Sequence, residues 1–228
     1  MLKSFIIISF TTIAITSGNK YQKFFSEDYD NGLKILEKYD KRFSFICNNF
    51  KVTPNYVKSI VFPETIRYNT FKDFFETSSL ELLYISNGSE AVDFSIGYFQ
   101  MKPSFIEELE VAVKNSSDYL KEKYKSVYSF NKESLKDRRI IRLQRLKNID
   151  CQITYICCFF DLLDLEYPNL KENETEMIQF YSSAYNFGFK KPPEKIKAWS
   201  KVKAFPYGSS FDGEQFSYSE LSLHFLQK

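Results

Sequence analysis

Residues 54–68 read PNYVKSIVFPETIRY and predict a helix with a carboxyl group on its apolar face. Thr53 and Pro54 form a helix-start signal, because threonine caps helices and proline is favoured at the first helical position. An apolar stripe at helical spacing follows, made of Val57, Ile60 and Val61. Glu64 stands four residues after Ile60 and three after Val61, so it extends the stripe. We therefore expect a helix over this stretch whose Glu64 side chain meets the core.

A carboxyl on a buried helix face has two interpretations. A salt bridge, or a position at the edge of the core where the side chain reaches water, is the commoner one. The second is a general acid, because desolvation disfavours the carboxylate and keeps the group protonated near neutral pH. From residues 54–68 alone, both interpretations of Glu64 stay open.

Composition favours a mainly helical fold. The chain has 228 residues, of which 43% are hydrophobic and 26% charged, as in a folded globular protein. Seven glycines and seven prolines leave little material for the tight turns of an all-β fold. Aromatic residues make up 18%, so we expect some of them to line a groove.

Apolar periodicity predicts further helices along the chain. They span residues 29–50, 71–86, 103–125, 134–149, 150–164, 174–187 and 218–227. A turn is expected at residues 86–89, no helix at 89–101, and an irregular surface segment at 188–216. We find no internal repeat and no linker, so residues 19–228 are expected to form one domain.

Residues 1–18, MLKSFIIISFTTIAITSG, resemble a secretory signal peptide in their order of one base, an apolar run and small residues. Cleavage is expected near Ser17 or Gly18. An anchoring helix needs roughly 20 apolar residues, and threonines interrupt this run early. The mature protein is therefore expected to be periplasmic or secreted, with no stable membrane insertion.

Metal and histidine chemistry are disfavoured. His224 is the only histidine, there is no Cys-x-x-Cys pair, and no metal site or cofactor is expected. If the chain is oxidised after export, a bridge would join Cys47 to one of Cys151, Cys157 and Cys158. The alternative is that all four are thiols packed as small apolar groups.

The charge balance gives no sign of a nucleic-acid partner. The formal net charge is only +2, so no phosphate-binding surface is implied. Lys and Arg cluster at residues 136–139 and 142–147, which on a helix predicts a solvated face, with contact to a wall polymer or a membrane as the less favoured alternative.

Two later segments complete a motif order. Residues 95–103 read SIGYFQMKP, and residues 184–188 read AYNFG. With Glu64 upstream, this order resembles the lytic transglycosylase and goose-type lysozyme superfamily, in which a helix-borne Glu precedes a Ser/Gly/Gln/Pro motif and a late Ala-Tyr-Asn-x-Gly. The matching residues are Glu64, then Ser95, Gly97, Gln100 and Pro103, then Ala184, Tyr185, Asn186 and Gly188. The sequence departs from the family at Thr65 (usually Ser), at Tyr98-Phe99 (usually Leu-Met) and at Phe187 (usually Ala).

The resemblance implies a lysozyme-like helical fold with a glycan-binding cleft and helical insertions, and an enzyme that cuts peptidoglycan strands. Glu64 would be the general acid and base, supported by Thr65 and by Tyr185, whose hydroxyl would hold the carboxyl. The substrate would be bound by Ser95, Gly97, Tyr98, Phe99, Gln100 and Asn186, with Gly97 letting the backbone approach the sugar.

Whether water enters the reaction depends on a second carboxylate. A hydrolase holds one near the acid to activate water. A lytic transglycosylase needs none, because the 6-hydroxyl of the muramic sugar attacks and leaves a 1,6-anhydro end. Asp93, and less favourably Glu90, could be this second acid, although Asp93 could instead be a turn residue that accepts backbone hydrogen bonds. Non-hydrolytic cleavage is preferred, lysozyme-type hydrolysis is the alternative, and a non-catalytic glycan-binding or envelope-assembly module is a third possibility.

Overall fold

The computed structural model describes residues 20–70, 77–131 and 134–228 and is mainly helical. Its helices are α1 (residues 20–25), α2 (Glu27–Lys38), α3 (Asp40–Asn49), α4 (Pro54–Thr70), α5 (Thr77–Asn87), α6 (Pro103–Lys114), α7 (Asp118–Lys123), α8 (Lys125–Tyr128), α9 (Leu135–Lys147), α10 (Ile149–Glu166), a 3₁₀ helix (Pro168–Glu172), α11 (Glu174–Phe187), α12 (Pro193–Trp199) and α13 (Tyr218–Leu226). The expected signal peptide and the start of the helix expected at 71–86 lie outside the described residues.

Helix α4 is the central helix. It packs against α2, α3, α11 and α13, and every residue from Ser59 to Ile66 is buried. The sequence predicted that only one face of α4 is buried, whereas neighbouring elements cover this part of α4 on all sides. The helix also continues past Pro63 to Thr70. The burial of Glu64 follows from this central position.

Three expected boundaries differ from the structure. The helix expected at 29–50 is broken at Tyr39, and the helix expected at 103–125 ends at Lys114. The segment 188–216 is more regular than expected. Pro193 begins α12 directly after the cap residue Pro192, and strands β1 (Lys203–Phe205) and β2 (Phe216–Ser217) pair antiparallel. Proline is favoured in the first turn of a helix, which is why a helix begins in this proline-containing segment.

The core accommodates more aromatic residues than the composition suggested. Among its largest fully buried side chains are Tyr29, Tyr84, Tyr124, Tyr155, Tyr181, Phe43, Phe62, Phe99, Phe159 and Phe216. Several buried tyrosines keep a partner for the hydroxyl, such as Tyr124 on Asp161 and Tyr181 on Asp164, each at 2.8 Å. A tyrosine ring can thus fill the core while its hydroxyl bonds at the core's edge.

The prediction of a solvated basic face is wrong for three arginines of α9. Arg142 binds Glu110 through two hydrogen bonds of 2.8 Å and binds Glu107 at 3.1 Å. Arg145 donates to two backbone carbonyls at 2.6 Å, and Arg139 donates to two more at 3.1 Å. These arginines tie α9 to the rest of the protein because the guanidinium presents several donors in a fixed plane.

The cysteines of the described part are free thiols. Cys47, Cys157 and Cys158 are buried, and Cys151 is half-buried. The Sγ atoms of Cys47 and Cys157 lie 3.8 Å apart, which is a contact and not a bond. His224 packs on Tyr21 and pairs with the Tyr29 hydroxyl at 2.7 Å. Across residues 20–70, 77–131 and 134–228, no helix has the length and apolar character needed to cross a membrane.

Candidate functional site

Glu64 is a buried carboxyl with an incomplete set of partners. Its side chain belongs to the fully packed part of α4 and is 4% exposed. Oε2 has no hydrogen-bond partner among the described residues. Burial raises the pKa of Glu64 to about 7 because the carboxylate has lost its hydration. Near neutral pH, this carboxyl is therefore present in both its protonated and its ionised form.

Three neighbouring groups oppose the effect of burial on the pKa of Glu64. The guanidinium of Arg67, one turn along α4, lies 3.8 Å from Glu64 Oε2. The positive charges of Arg67 and Lys102 and the hydroxyl of Tyr218 all lower the pKa of Glu64, but by less than burial raises it. Tyr218 also donates to the carbonyl of Ile60 at 2.9 Å, which holds its ring beside α4.

Residues 96–101 form a tight turn immediately before Lys102, whose charge lowers the pKa of Glu64. Ile96 and Met101 pair as an antiparallel bridge, and the turn between them has positive φ at Gly97 (72°) and at Gln100 (49°). A Cβ at Gly97 would lie 2.1 Å from Nε2 of Gln152 on α10. This glycine is thus required by packing against the protein interior, which differs from the expected approach of the backbone to a sugar.

Gln152 fixes this turn to α10. Its Oε1 accepts from the backbone N–H of Phe99 at 3.0 Å, and its Nε2 donates to the carbonyl of Leu146 at 2.7 Å. Gln100 is buried, and its Nε2 donates to the carbonyl of Gly97 at 2.9 Å. Gln100 Oε1 has no hydrogen-bond partner in the described part of the chain. The turn therefore contributes a second incompletely paired polar group to this region.

Tyr185 joins the turn to α11. Its hydroxyl donates to the carbonyl of Phe99 at 2.6 Å, whereas the resemblance implied a bond to Glu64. The charge of Glu64 nevertheless contributes to raising the pKa of Tyr185, so the two groups are close. Phe99 is fully buried and packs on Phe43 with ring centroids 5.7 Å apart. Its side chain is a core residue, which corrects the expectation that it binds substrate.

A pocket of about 310 Å³ opens next to Tyr185. Asn186, Asp93, Lys102 and Lys190 are among its other lining residues, while Glu64 and Gln100 are not. Asn186 Oδ1 accepts from the indole N–H of Trp199 at 2.9 Å, so its amide NH₂ is the donor that this bond does not use. The pocket thus presents amide, hydroxyl and ammonium groups of the kind that bind sugar substituents.

Asp93 is held at the start of α6. Its two oxygens accept from the backbone N–H and the hydroxyl of Ser104, at 3.0 and 2.7 Å. Asp93 thus accepts a backbone hydrogen bond, as the turn-residue interpretation expected, but the donor is Ser104 of α6 and not the turn ahead of Ser95. Lys102 Nζ lies 3.8 Å from the same carboxylate.

The remaining predicted residues lie in two places. Thr65 is buried, and its hydroxyl donates to the carbonyl of Phe62 at 2.8 Å. It lies on the side of α4 that faces Gly32 of α2. Ser95 and Tyr98 are half-buried, one on each side of Gly97. The structure thus places Thr65 against α2 and leaves Ser95 and Tyr98 partly open to solvent.

Three residues near Glu64 were not predicted. Arg67 stands three residues after Glu64 on one helix, so helical spacing could have identified it. Lys102 lies within the Ser95–Pro103 motif and could also have been considered. Tyr218 had no sequence signal, because only the packing of α13 on α4 brings it near.

Comparison of this chain with known protein families, curated proteins and solved structures gives no match. Among the described residues, no group of three or more His, Cys, Asp or Glu side chains is placed to hold a metal ion. The site is therefore interpreted from its own geometry and from the motif resemblance.

Proposed function

We propose that this protein is an exported enzyme that cleaves the MurNAc-β-1,4-GlcNAc bond of peptidoglycan, with Glu64 as general acid and base. The observation that carries the proposal is the buried Glu64 carboxyl, whose pKa is raised to about 7 and whose Oε2 has no hydrogen-bond partner among the described residues. An acid of this kind can protonate a glycosidic oxygen near neutral pH. The order of Glu64, the Gly97–Gln100 turn and Tyr185-Asn186 gives the substrate class by resemblance.

The expected reaction begins with proton transfer from Glu64 to the leaving oxygen. Positive charge then develops on the muramic ring, and the ionised Glu64 faces it. Arg67, Lys102 and Tyr218 keep ionisation of Glu64 accessible, since each lowers its pKa. The same group can then take the proton of the attacking hydroxyl, as general base.

Non-hydrolytic cleavage is the preferred outcome. The sugar's own 6-hydroxyl then attacks, and the product ends in 1,6-anhydroMurNAc. Both oxygens of Asp93 are already engaged by Ser104, which favours a reaction that needs no second carboxylate. The alternative is a lysozyme-type hydrolysis in which Asp93 positions water, because Asp93 lines the same pocket as Tyr185 and Asn186.

The proposed fold is the lysozyme-like helical fold of the lytic transglycosylases, with α4 as the acid-bearing central helix. Helices α11 and α13, which pack on α4, bring Tyr185 and Tyr218 to the acid. The substrate groove would pass Glu64 and the pocket beside Tyr185. Removal of residues 1–18 would deliver the mature protein to the periplasm or the medium.

The test compares the purified wild-type protein with Glu64→Gln on isolated peptidoglycan. We expect the variant to lose about 10²- to 10⁴-fold in rate, because the amide cannot supply a proton. Glu122→Gln is the matched control, since Glu122 is 80% exposed and lies on α7. An equal rate of muropeptide release by wild-type and Glu64→Gln would show that the acid is elsewhere.

The mass of the released muropeptides distinguishes the two reactions. Anhydro ends are lighter than reducing ends by one water, about 18 Da, because no water enters the cleavage. Asp93→Asn should keep substantial activity if the enzyme is a transglycosylase. Only reducing muramic ends, together with a large loss in Asp93→Asn, would select hydrolysis. Binding without any release would select the non-catalytic module.

A further inference from the structure

Three tyrosines form a cluster at the end of α4, one helical turn beyond Glu64. Tyr68 stands four residues after Glu64, so the two side chains share a helix face. The ring of Tyr98 lies 4.9 Å from that of Tyr68 and 5.5 Å from that of Tyr39, centroid to centroid. Tyr98 belongs to the Gly97–Gln100 turn, whereas Tyr39 lies at the junction of α2 and α3. The cluster thus joins three separate parts of the chain.

The three rings differ from the core aromatics in their exposure. Tyr39, Tyr68 and Tyr98 are each half-buried, whereas tyrosines such as Tyr84 and Tyr124 are fully buried. The rings of Tyr39 and Tyr98 are tilted by 49° to each other, and each ring carries a hydroxyl. The cluster therefore presents apolar ring surface and polar hydroxyls together beside the acid.

The position of the cluster is fixed relative to the candidate site. Tyr68 is tied to Glu64 by the α4 backbone. Tyr98 is adjacent to Phe99, whose carbonyl accepts from Tyr185 and whose N–H donates to Gln152. Tyr68 and Tyr98 are therefore each held through the backbone next to a residue of the candidate site.

We propose that Tyr39, Tyr68 and Tyr98 form a stacking platform for a pyranose ring of the glycan strand that extends past Glu64. A pyranose has an apolar face of C–H groups and a polar edge of hydroxyls, which matches rings that carry phenolic hydroxyls. The neighbouring hydroxyl of Tyr39 and, after it, burial raise the pKa of Tyr98 to about 12, so its hydroxyl stays a donor. The identity of the ligand rests on the proposed function.

The binding test uses the Glu64→Gln protein and soluble glycan strands freed of their peptides by an amidase. Affinity is measured by isothermal titration. Tyr39→Ala and Tyr98→Ala should each weaken binding about tenfold or more, as truncation of a buried aromatic anchor does. Tyr98→Phe should retain most of the affinity, because the ring is what stacks. Tyr119→Ala is the matched control, since Tyr119 is 66% exposed and lies on α7.

A second measurement does not depend on whether an alanine variant folds. Hydroxyl-radical footprinting of Glu64→Gln, with and without the glycan strands, should protect the three platform tyrosines and leave Tyr119 unprotected. Full affinity in both alanine variants would overturn the platform. So would absence of binding by Glu64→Gln, or protection confined to the surface groove that contains Tyr167 and Phe180.

The outcome for the platform is separable from that for the enzyme. Binding and protection at the tyrosines, with no muropeptide release by the wild-type protein, would keep the platform and reject the catalytic proposal. Release that depends on Glu64, with full affinity in the alanine variants, would keep the enzyme and reject the platform.

Discussion

Glu64 and Glu110 are two buried glutamates on helices, 4% and 2% exposed, and their partners differ. Both carboxylate oxygens of Glu110 accept from Arg142 at 2.8 Å. Glu64 has Arg67 at 3.8 Å, and its Oε2 has no hydrogen-bond partner among the described residues. Burial raises the pKa of both groups, and the largest opposing contribution is the hydrogen bonding from Arg142 in Glu110 and the charge of Arg67 in Glu64.

The comparison teaches that burial alone does not make a carboxyl reactive. Glu110 belongs to a network with Arg142, Glu107 and Tyr84 that joins α6, α9 and α5. A paired carboxylate of this kind is expected to stay charged and to hold helices together. Glu64 is underpaired, so it exchanges a proton near neutral pH and lowers the stability of the fold when ionised. Four predictions test this difference, from the largest effect to the smallest.

Breaking the Glu110 pair should have the largest effect on stability. Arg142→Met leaves a buried carboxylate without its partner, and we expect a loss of about 3–5 kcal/mol in the free energy of unfolding. Denaturant unfolding measures it, with Lys136→Met, an exposed position of α9, as control. The double variant Glu110→Met with Arg142→Met should recover much of the loss, because the uncompensated charge is gone. A loss below about 1 kcal/mol in the single variant would mean that Glu110 does not depend on this arginine.

Removing the Glu64 charge should increase the free energy of unfolding, and the increase should depend on pH. The pKa of Glu64 is raised from 4.5 to about 7 in the folded protein. The folded state therefore binds more protons, and the stability present below about pH 4.5 is lost as pH rises through about 7. Glu64→Gln should thus be about 3 kcal/mol more stable than wild type at pH 8 and nearly equal to it at pH 4.

Unfolding curves at several pH values test this profile. Glu122→Gln should show no such profile, since Glu122 is exposed. If Glu64→Gln is equally stabilising at pH 4 and pH 8, then Glu64 does not ionise in this range, and its contrast with Glu110 would lose its electrostatic basis.

Tyr218→Phe should have a smaller effect on stability and a clear effect on Glu64. The change removes the hydrogen bond to the Ile60 carbonyl, which is worth about 1 kcal/mol. It also removes a group that lowers the pKa of Glu64, so this pKa should rise. Carboxyl-carbon NMR titration measures the pKa without relying on activity, and Tyr119→Phe is the control. An unchanged titration of Glu64 would place Tyr218 outside its environment.

Arg67→Gln should have the smallest effect on stability. The Arg67 side chain is 37% exposed, and solvent screens such a pair to under about 1 kcal/mol. Its charge lowers the pKa of Glu64, so the pKa should rise in the variant. Activity that requires protonated Glu64 falls as pH rises through this pKa, and the alkaline limb of the pH–rate profile should move to higher pH. A shift to lower pH would contradict the assigned role of Arg67.

The local features of the candidate site were predictable because each depends on residues that lie close together in the sequence. Thr53-Pro54 marks the start of α4, and the expected helix is confirmed. The Ala184–Gly188 motif ends α11, where Gly188 has φ of 117° and follows the last helical residue. The predicted burial of Glu64 is likewise present, although its cause is packing all round α4 and not a single stripe.

Partners distant in sequence were not predictable. The Tyr185 hydroxyl donates a hydrogen bond to the Phe99 carbonyl, and Gln152 of α10 leaves no room for a Cβ at Gly97. Arg142 reaches two glutamates of α6, although its own segment suggested only a solvated face. Each of these contacts joins elements far apart in the chain, and no local pattern encodes which acceptor a donor finds.

The sequence by itself determined that the chain is mainly helical and that Glu64 lies on an apolar part of a helix. It also determined the order in which the motif residues occur. Capping, helical spacing and composition act within a few residues, so they can be evaluated from the chain alone. Only the tertiary structure decided that Glu64 Oε2 has no hydrogen-bond partner among the described residues, whereas both oxygens of Glu110 are bonded to Arg142. It also decided that Tyr218 joins the site. Desolvation and hydrogen bonding depend on which surfaces exclude water and which donors reach the carboxyl, and those are properties of the packed helices.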